Sequence, residues 1–132
     1  MTDGDARAIE DAISAIGPAP GLRLLVVFGS RARRDAGPSS DWDIGVLGDS
    51  GFDVDSLRAP LTERLGTDRI DLVDLTRASG QLRYRAARDG RPVFTRTPDE
   101  WSRFWMEAVS FWCDAGPVLG PAYRGVLLEL GP

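Results

Sequence analysis

The chain has 132 residues, 42% hydrophobic and 27% charged, with 20 acids against 16 bases, a net charge of −4 and a pI near 4.8. This describes a soluble globular chain long enough for one core and too short for two, and its acidic balance argues against a duplex-binding module. Histidine is absent and all 16 basic residues are arginine, which removes Ser-His-Asp and Cys-His catalysis, histidine-containing zinc sites, Schiff-base chemistry and a lysine P-loop.

Carboxylates, arginines and hydroxyls remain, the set used in metal-assisted phosphoryl or nucleotidyl transfer. The single Cys113 excludes an internal disulfide and, among aromatic neighbours, is read as core filler. No apolar run approaches membrane-spanning length and the N-terminus is acidic rather than signal-like. The expectation is one cytoplasmic domain over residues 1–132, with no membrane segment and no direct nucleic-acid binding.

In chain order, Ile9, Ala12, Ile13 and Ile16 recur at helical spacing and predict an amphipathic helix over 3–16, ended by Gly17-Pro18-Ala19-Pro20-Gly21. Leu22 to Phe28 is an apolar strand that stops at Gly29-Ser30, followed by a short basic helix. A second strand begins at Asp41-Trp42-Asp43 and runs through Ile44 to Leu47, and residues 48–51 turn the chain. Leu57, Leu61 and Leu65 predict a helix over 53–65, with Asp53 or Asp55 near its start and Pro60 forcing a kink or a late start.

Arg69 to Leu75 is the third strand, and its apolar residues in both phases predict burial on both faces, as in a central strand. A helix over 77–89 carries Arg85 and Arg88 on one face, and Pro92-Val93-Phe94 is a short strand placed at a sheet edge by its proline. Thr97-Pro98-Asp99-Glu100 predicts a capping box. The helix that follows, over 98–115, puts Trp101, Phe104, Trp105, Ala108, Phe111 and Trp112 on one broad face, most of them core. The apolar tail, about 117–132, is the better candidate for a partner surface.

The chemistry concentrates in residues 22–47. Successive strand side chains alternate between faces, so Asp41 and Asp43 share one face and Trp42 takes the other. Two adjacent carboxylates repel unless a cation lies between them. Oxygen-only ligands suit Mg²⁺ or Mn²⁺ completed by water and phosphate oxygens. Upstream, Gly29-Ser30 opens a helix whose unpaired N–H groups favour phosphate. A phosphate cradle beside a metal-holding acid pair points to chemistry on a nucleoside triphosphate. Asp71 and Asp74, on the third strand, have opposite parity, so at most one can face that pair.

Gly29-Ser30, ten residues, then Asp41-x-Asp43 resembles the signature of the DNA polymerase β-type nucleotidyltransferase superfamily. The fuller wording, GSRAR and SDWDIGVL, is similar to its minimal nucleotidyltransferase (MNT) branch, often antitoxins of HEPN toxins. The resemblance implies an α/β (α+β) fold, a small mixed β-sheet flanked by helices, and a third carboxylate at Asp71. Asp41, Asp43 and Asp71 would be catalytic and metal-binding; Gly29, Ser30, Arg31 and Arg33 would bind the nucleotide, although a solvated helix face explains either arginine equally well. Arg34 stands where the family usually has glycine. The implied reaction transfers AMP from ATP, with Mg²⁺ or Mn²⁺, to a tyrosine of a partner HEPN toxin. The alternatives are a stand-alone enzyme modifying a small hydroxyl compound such as an antibiotic, and an antitoxin that neutralises by docking alone.

Overall fold

The computed structural model describes residues 2–15, 21–33 and 41–114. The loop with Arg34, the tail over 117–132, and the side chains of Arg33, Trp112 and Cys113 lie outside the described residues. The elements are α1 (Asp3–Ala15), β1 (Leu22–Phe28), α2 (Ser30–Arg33), β2 (Trp42–Gly48), a 3₁₀ turn (Val54–Leu57), α3 (Arg58–Leu65), β3 (Ile70–Asp74), α4 (Gly80–Asp89), β4 (Arg91–Thr95) and α5 (Glu100–Asp114).

The four strands form one sheet in the order β3-β2-β1-β4. β1 runs antiparallel to β2 and β4, and β2 runs parallel to β3, so the sheet is mixed. Both faces of β1 are buried because apolar residues occupy both phases of its alternation. Leu25 and Val27 face one cluster, with Ile9, Ala12 and Ile13 of α1 and Leu61 of α3. Leu24, Val26 and Phe28 face the other, with Ala86 and Ala87 of α4 and Phe104 and Ala108 of α5. Helices therefore cover both sides, and the sheet ends are left for polar residues.

Several expectations need correcting. β3 is an edge strand, not a central one. Its two-sided burial comes from the helix layers, with Ile70 in one cluster and Leu75, just past the strand, in the other; face periodicity carries no information about lateral neighbours. The helix expected from 77 begins at Gly80, because Ser79 caps it by accepting from the Leu82 N–H at 3.2 Å. Around Pro60 the start is late rather than kinked: the 3₁₀ turn, capped by Asp53, precedes α3.

The capping box at Thr97 does not form among the described contacts. The Thr97 hydroxyl donates to Asp99 at 2.6 Å, and Glu100 reaches across the fold to Arg23. Trp101, Phe104 and Trp105 pack into the core as expected, but Phe111 stands 61% exposed.

Candidate active site

β1 ends, and β2 and β3 begin, at the same end of the sheet. Asp43 is in register with Phe28 on one side and with Asp71 on the other. Paired residues share a face, so Asp43 and Asp71 lie on the α4/α5 side at neighbouring strand starts. Asp41 precedes β2, is exposed, and lines with Asp71 an open depression of about 360 Å³ that also meets Arg58, Asp68 and Arg69. The structure thus brings Asp43 beside Asp71 by register, and Asp41 beside Asp71 by their shared depression. Asp74 is turned away: its carboxylate accepts from the Thr76 N–H at 3.0 Å and closes the turn after β3.

Gly29 connects this acid group to the nucleotide side. Its φ of 73° lies in the left-handed region, which glycine enters without strain. A Cβ built there would collide with Asp43 Oδ2 and lie 3.2 Å from Asp43 Cγ. The missing side chain is what lets the turn backbone pass directly over the carboxylate. Ser30 follows at the start of α2, which is a single turn of four residues. So short a helix has little macrodipole, so the turn offers a phosphate its N–H groups and the Ser30 hydroxyl.

Arg31 is placed differently from a simple phosphate clamp. Its guanidinium stacks 4.7 Å from the ring centroid of Trp42, which is 2% exposed in the α1/α3 cluster. Trp42 and Asp43 alternate along β2, so Arg31 sits on the opposite face of the sheet from the carboxylates. Sequence reasoning missed Arg58, Asp68 and Arg69 as neighbours of Asp41 and Asp71. None belongs to a motif, and only the packing of α3 against β3 puts Arg58 there.

A divalent cation is implied by the acid pair, and the donor set fits one in a limited sense. Among the described residues no three acidic, cysteine or histidine side chains converge into a ready-made cage. Mg²⁺ does not need one, because it is commonly held by one or two carboxylates plus substrate phosphates and water. The all-oxygen donors, and the open depression that Asp41 and Asp71 line, suit that mode.

A larger concavity, about 650 Å³, opens at the other end of the sheet between Arg23, Asp49, Phe52 and Arg77. Volume alone would favour it, but several of its charged groups are already neutralised. Arg23 donates to both Glu100 oxygens at 3.1 Å, which raises its pKa, and Arg96 binds Asp49 at 2.6 Å, which holds that carboxyl below its ordinary value. The candidate site is the carboxylate end.

Known proteins resemble this chain over most of its length. A family model described as polymerase beta, nucleotidyltransferase, matches residues 11–99. Protein adenylyltransferase MntA of Aphanizomenon flos-aquae (strain 2012/KM1/D3) is 32% identical over 97 residues, a match taking in 64% of this chain and 65% of that protein. Among solved structures, a chain of a toxin-antitoxin crystallised with AMP-PNP superposes with a TM-score of 0.70 at 25% identity, over 92% of this chain and 98% of that one. A chain from the tri-AMPylated Shewanella oneidensis HEPN toxin in complex with its MNT antitoxin gives 0.67 at 24% identity, over 96% and 99%, a likeness of fold. Among the described residues, no helix is long and apolar enough to cross a membrane.

Proposed function

The chain belongs to the polymerase β nucleotidyltransferase family, and from that premise we propose that it transfers AMP from ATP to a tyrosine hydroxyl of a partner HEPN toxin, acting as its antitoxin. The observation that carries the reading is the register that sets Asp43 against Asp71, with Gly29 packed over the Asp43 carboxylate. The relative named as a protein adenylyltransferase and the relative crystallised with AMP-PNP support the choice of nucleotide and acceptor.

In this reaction the acceptor oxygen forms a bond to the α-phosphorus, the bond from that phosphorus to the β-bridging oxygen breaks, and pyrophosphate departs. The Gly29-Ser30 turn binds the β- and γ-phosphates. Arg31 and Arg33, in the same helical turn as Ser30, supply positive charge, with Arg31 stacked on Trp42. Asp41 and Asp43 hold a divalent cation, Mg²⁺ or Mn²⁺, with Asp71 as a further ligand or as the group that accepts the hydroxyl proton. When bound, the cation neutralises phosphate charge in the transition state. Residues 1–132 act as one domain in this reading, the tail over 117–132 contributes to the partner surface, and the need for ATP places the reaction in the cytoplasm.

The test is to incubate the chain with ATP, Mg²⁺ and the HEPN protein encoded beside its gene, and to look by mass spectrometry for AMP on tyrosine. AMP is expected with the native chain and not with Asp41→Asn/Asp43→Asn. Equal transfer by that double variant would remove the carboxylates from the mechanism, and absence of any transfer by the native chain would remove the activity.

A further inference from the structure

We propose that Arg58 is a positioning residue for this reaction: it fixes the peptide plane from which the Asp71 side chain projects. The inference rests on the reading of Asp71 as a site residue. Arg58 opens α3, outside any motif. Its Nη1 donates to the Ile70 carbonyl at 3.0 Å, while its Nε donates to Asp55 Oδ1 at 2.9 Å.

The Ile70 carbonyl belongs to the same peptide group as the Asp71 nitrogen. That group is planar and includes the α-carbons of both residues, so holding its oxygen orients the plane at the Asp71 α-carbon. The preceding plane is held separately, by the Trp42 N–H donating to the Arg69 carbonyl at 2.9 Å. In the same ladder the Asp71 N–H faces β2 while the Ile70 carbonyl faces the strand's other edge, so Arg58 of α3 adds a second hold to that plane from the open side.

This second hold matters because of where Asp71 lies. β3 has five residues and, among the described residues, one neighbouring strand, and short strand ends at sheet edges are among the first segments to open. The Asp71 side chain is exposed, so packing does not set its direction. A guanidinium suits the task because Asp55 fixes one N–H of its planar fork while another reaches the carbonyl. Arg58 also lines the depression shared by Asp41 and Asp71, so a direct phosphate contact is the rival role, and kinetics separate the two.

For Arg58→Ala, kcat is expected to fall about 10-fold and the Mg²⁺ concentration for half-maximal rate to rise by a similar factor. KM for ATP should stay within about twofold, since the phosphate turn is untouched. Without metal or nucleotide, hydrogen exchange should quicken at the amides of Asp71 and Val73, whose N–H groups face β2. Arg58→Lys should recover part of the loss, because an ammonium can still donate to the carbonyl; it also serves as the test if the alanine variant fails to fold. Added to Asp71→Asn, Arg58→Ala should lower kcat no further. Native kcat and Mg²⁺ dependence in Arg58→Ala would overturn the proposal, as would a raised KM for ATP at native kcat, which marks a phosphate contact. Full activity in Asp71→Asn alone would overturn the Asp71 reading and this one with it, whereas an inactive Asp71→Asn beside a native-like Arg58→Ala would overturn this one alone.

Discussion

The two ends of the sheet use charge in opposite ways. Where β1 begins and β4 leads into α5, the charges close on one another. Glu100, 2% exposed, takes Arg23 at 3.1 Å and lies within 3.7 Å of Arg96 and 3.6 Å of Arg103. Arg96 continues to Asp49 and Arg103 to Asp99, each at 2.6 Å. At the other end Asp43 and Asp71 stand side by side on adjacent strands with Asp41 close by, and Arg58 and Arg69 border them. The compensated end ties β1, β4, α5 and the turn after β2 together. The carboxylate end sets three acids near one another where β2 and β3 begin, and a divalent cation bound there would lower their mutual repulsion. The comparison explains why the larger cavity is not the better candidate site: several of its charges already have partners.

The sharpest way to break this contrast is to neutralise the acidic end. Asp41→Asn/Asp43→Asn is expected to lose on the order of 10³-fold in transfer rate, about 4 kcal/mol of transition-state stabilisation. Urea unfolding of the same variant measures what the carboxylates contribute to the fold, since Asp43 has a partner of its own. A large loss of stability would mean that those carboxylates serve the fold. The converse experiment is Glu100→Gln. It leaves Arg23 and its neighbours short of a buried anion and is expected to cost about 2–4 kcal/mol of stability. The rate per folded molecule, measured well below the melting transition, should be unchanged. A smaller effect, felt at both levels, is expected for Gly29→Ala. The positive φ and the collision with Asp43 should cost roughly 1–2 kcal/mol in stability, and the displaced carboxylate should lower the rate as well.

The acidic end was far more legible in the sequence than the compensated end. Gly29, Ser30, Asp41 and Asp43 sit within one strand-turn-strand unit, where alternation alone says which acids share a face. Among the described residues, the nine alternating helices and strands also follow from local apolar spacing and turn residues, and the proline at 92 correctly put β4 at an edge. What sequence could not give was lateral and long-range placement. β3 reads as central because helices bury it on both faces, and nothing in its own residues reports that one edge lacks a neighbouring strand. Glu100 was assigned to a local cap because Thr97-Pro98-Asp99-Glu100 fits one. Its actual partner, Arg23, is 77 residues away and reached only through the sheet order. The stacking of Arg31 on the buried Trp42 ring was not legible either, because nothing in the motif pairs those two side chains.

The mildest probe of the contrast is pH. Asp49 has a pKa lowered below its ordinary 3.8 chiefly by its hydrogen bond with Arg96, and Asp99 is lowered by those with Thr97 and Arg103. A carboxyl with a depressed folded-state pKa binds its proton more readily in the unfolded chain. Its contribution is therefore complete above about pH 4 and is lost as pH falls through the folded value. Both groups are exposed, so solvent screening keeps each contribution small. Asp49→Asn should flatten the acid limb of stability below about pH 4, measured by urea midpoints between about pH 2 and about pH 7. Asp99 should leave a residual slope. Transfer at neutral pH should be native-like, because Asp49 lies at the end of the sheet away from Asp43. An Asp49→Asn variant with normal acid stability but impaired transfer would reverse the assignment of the two ends.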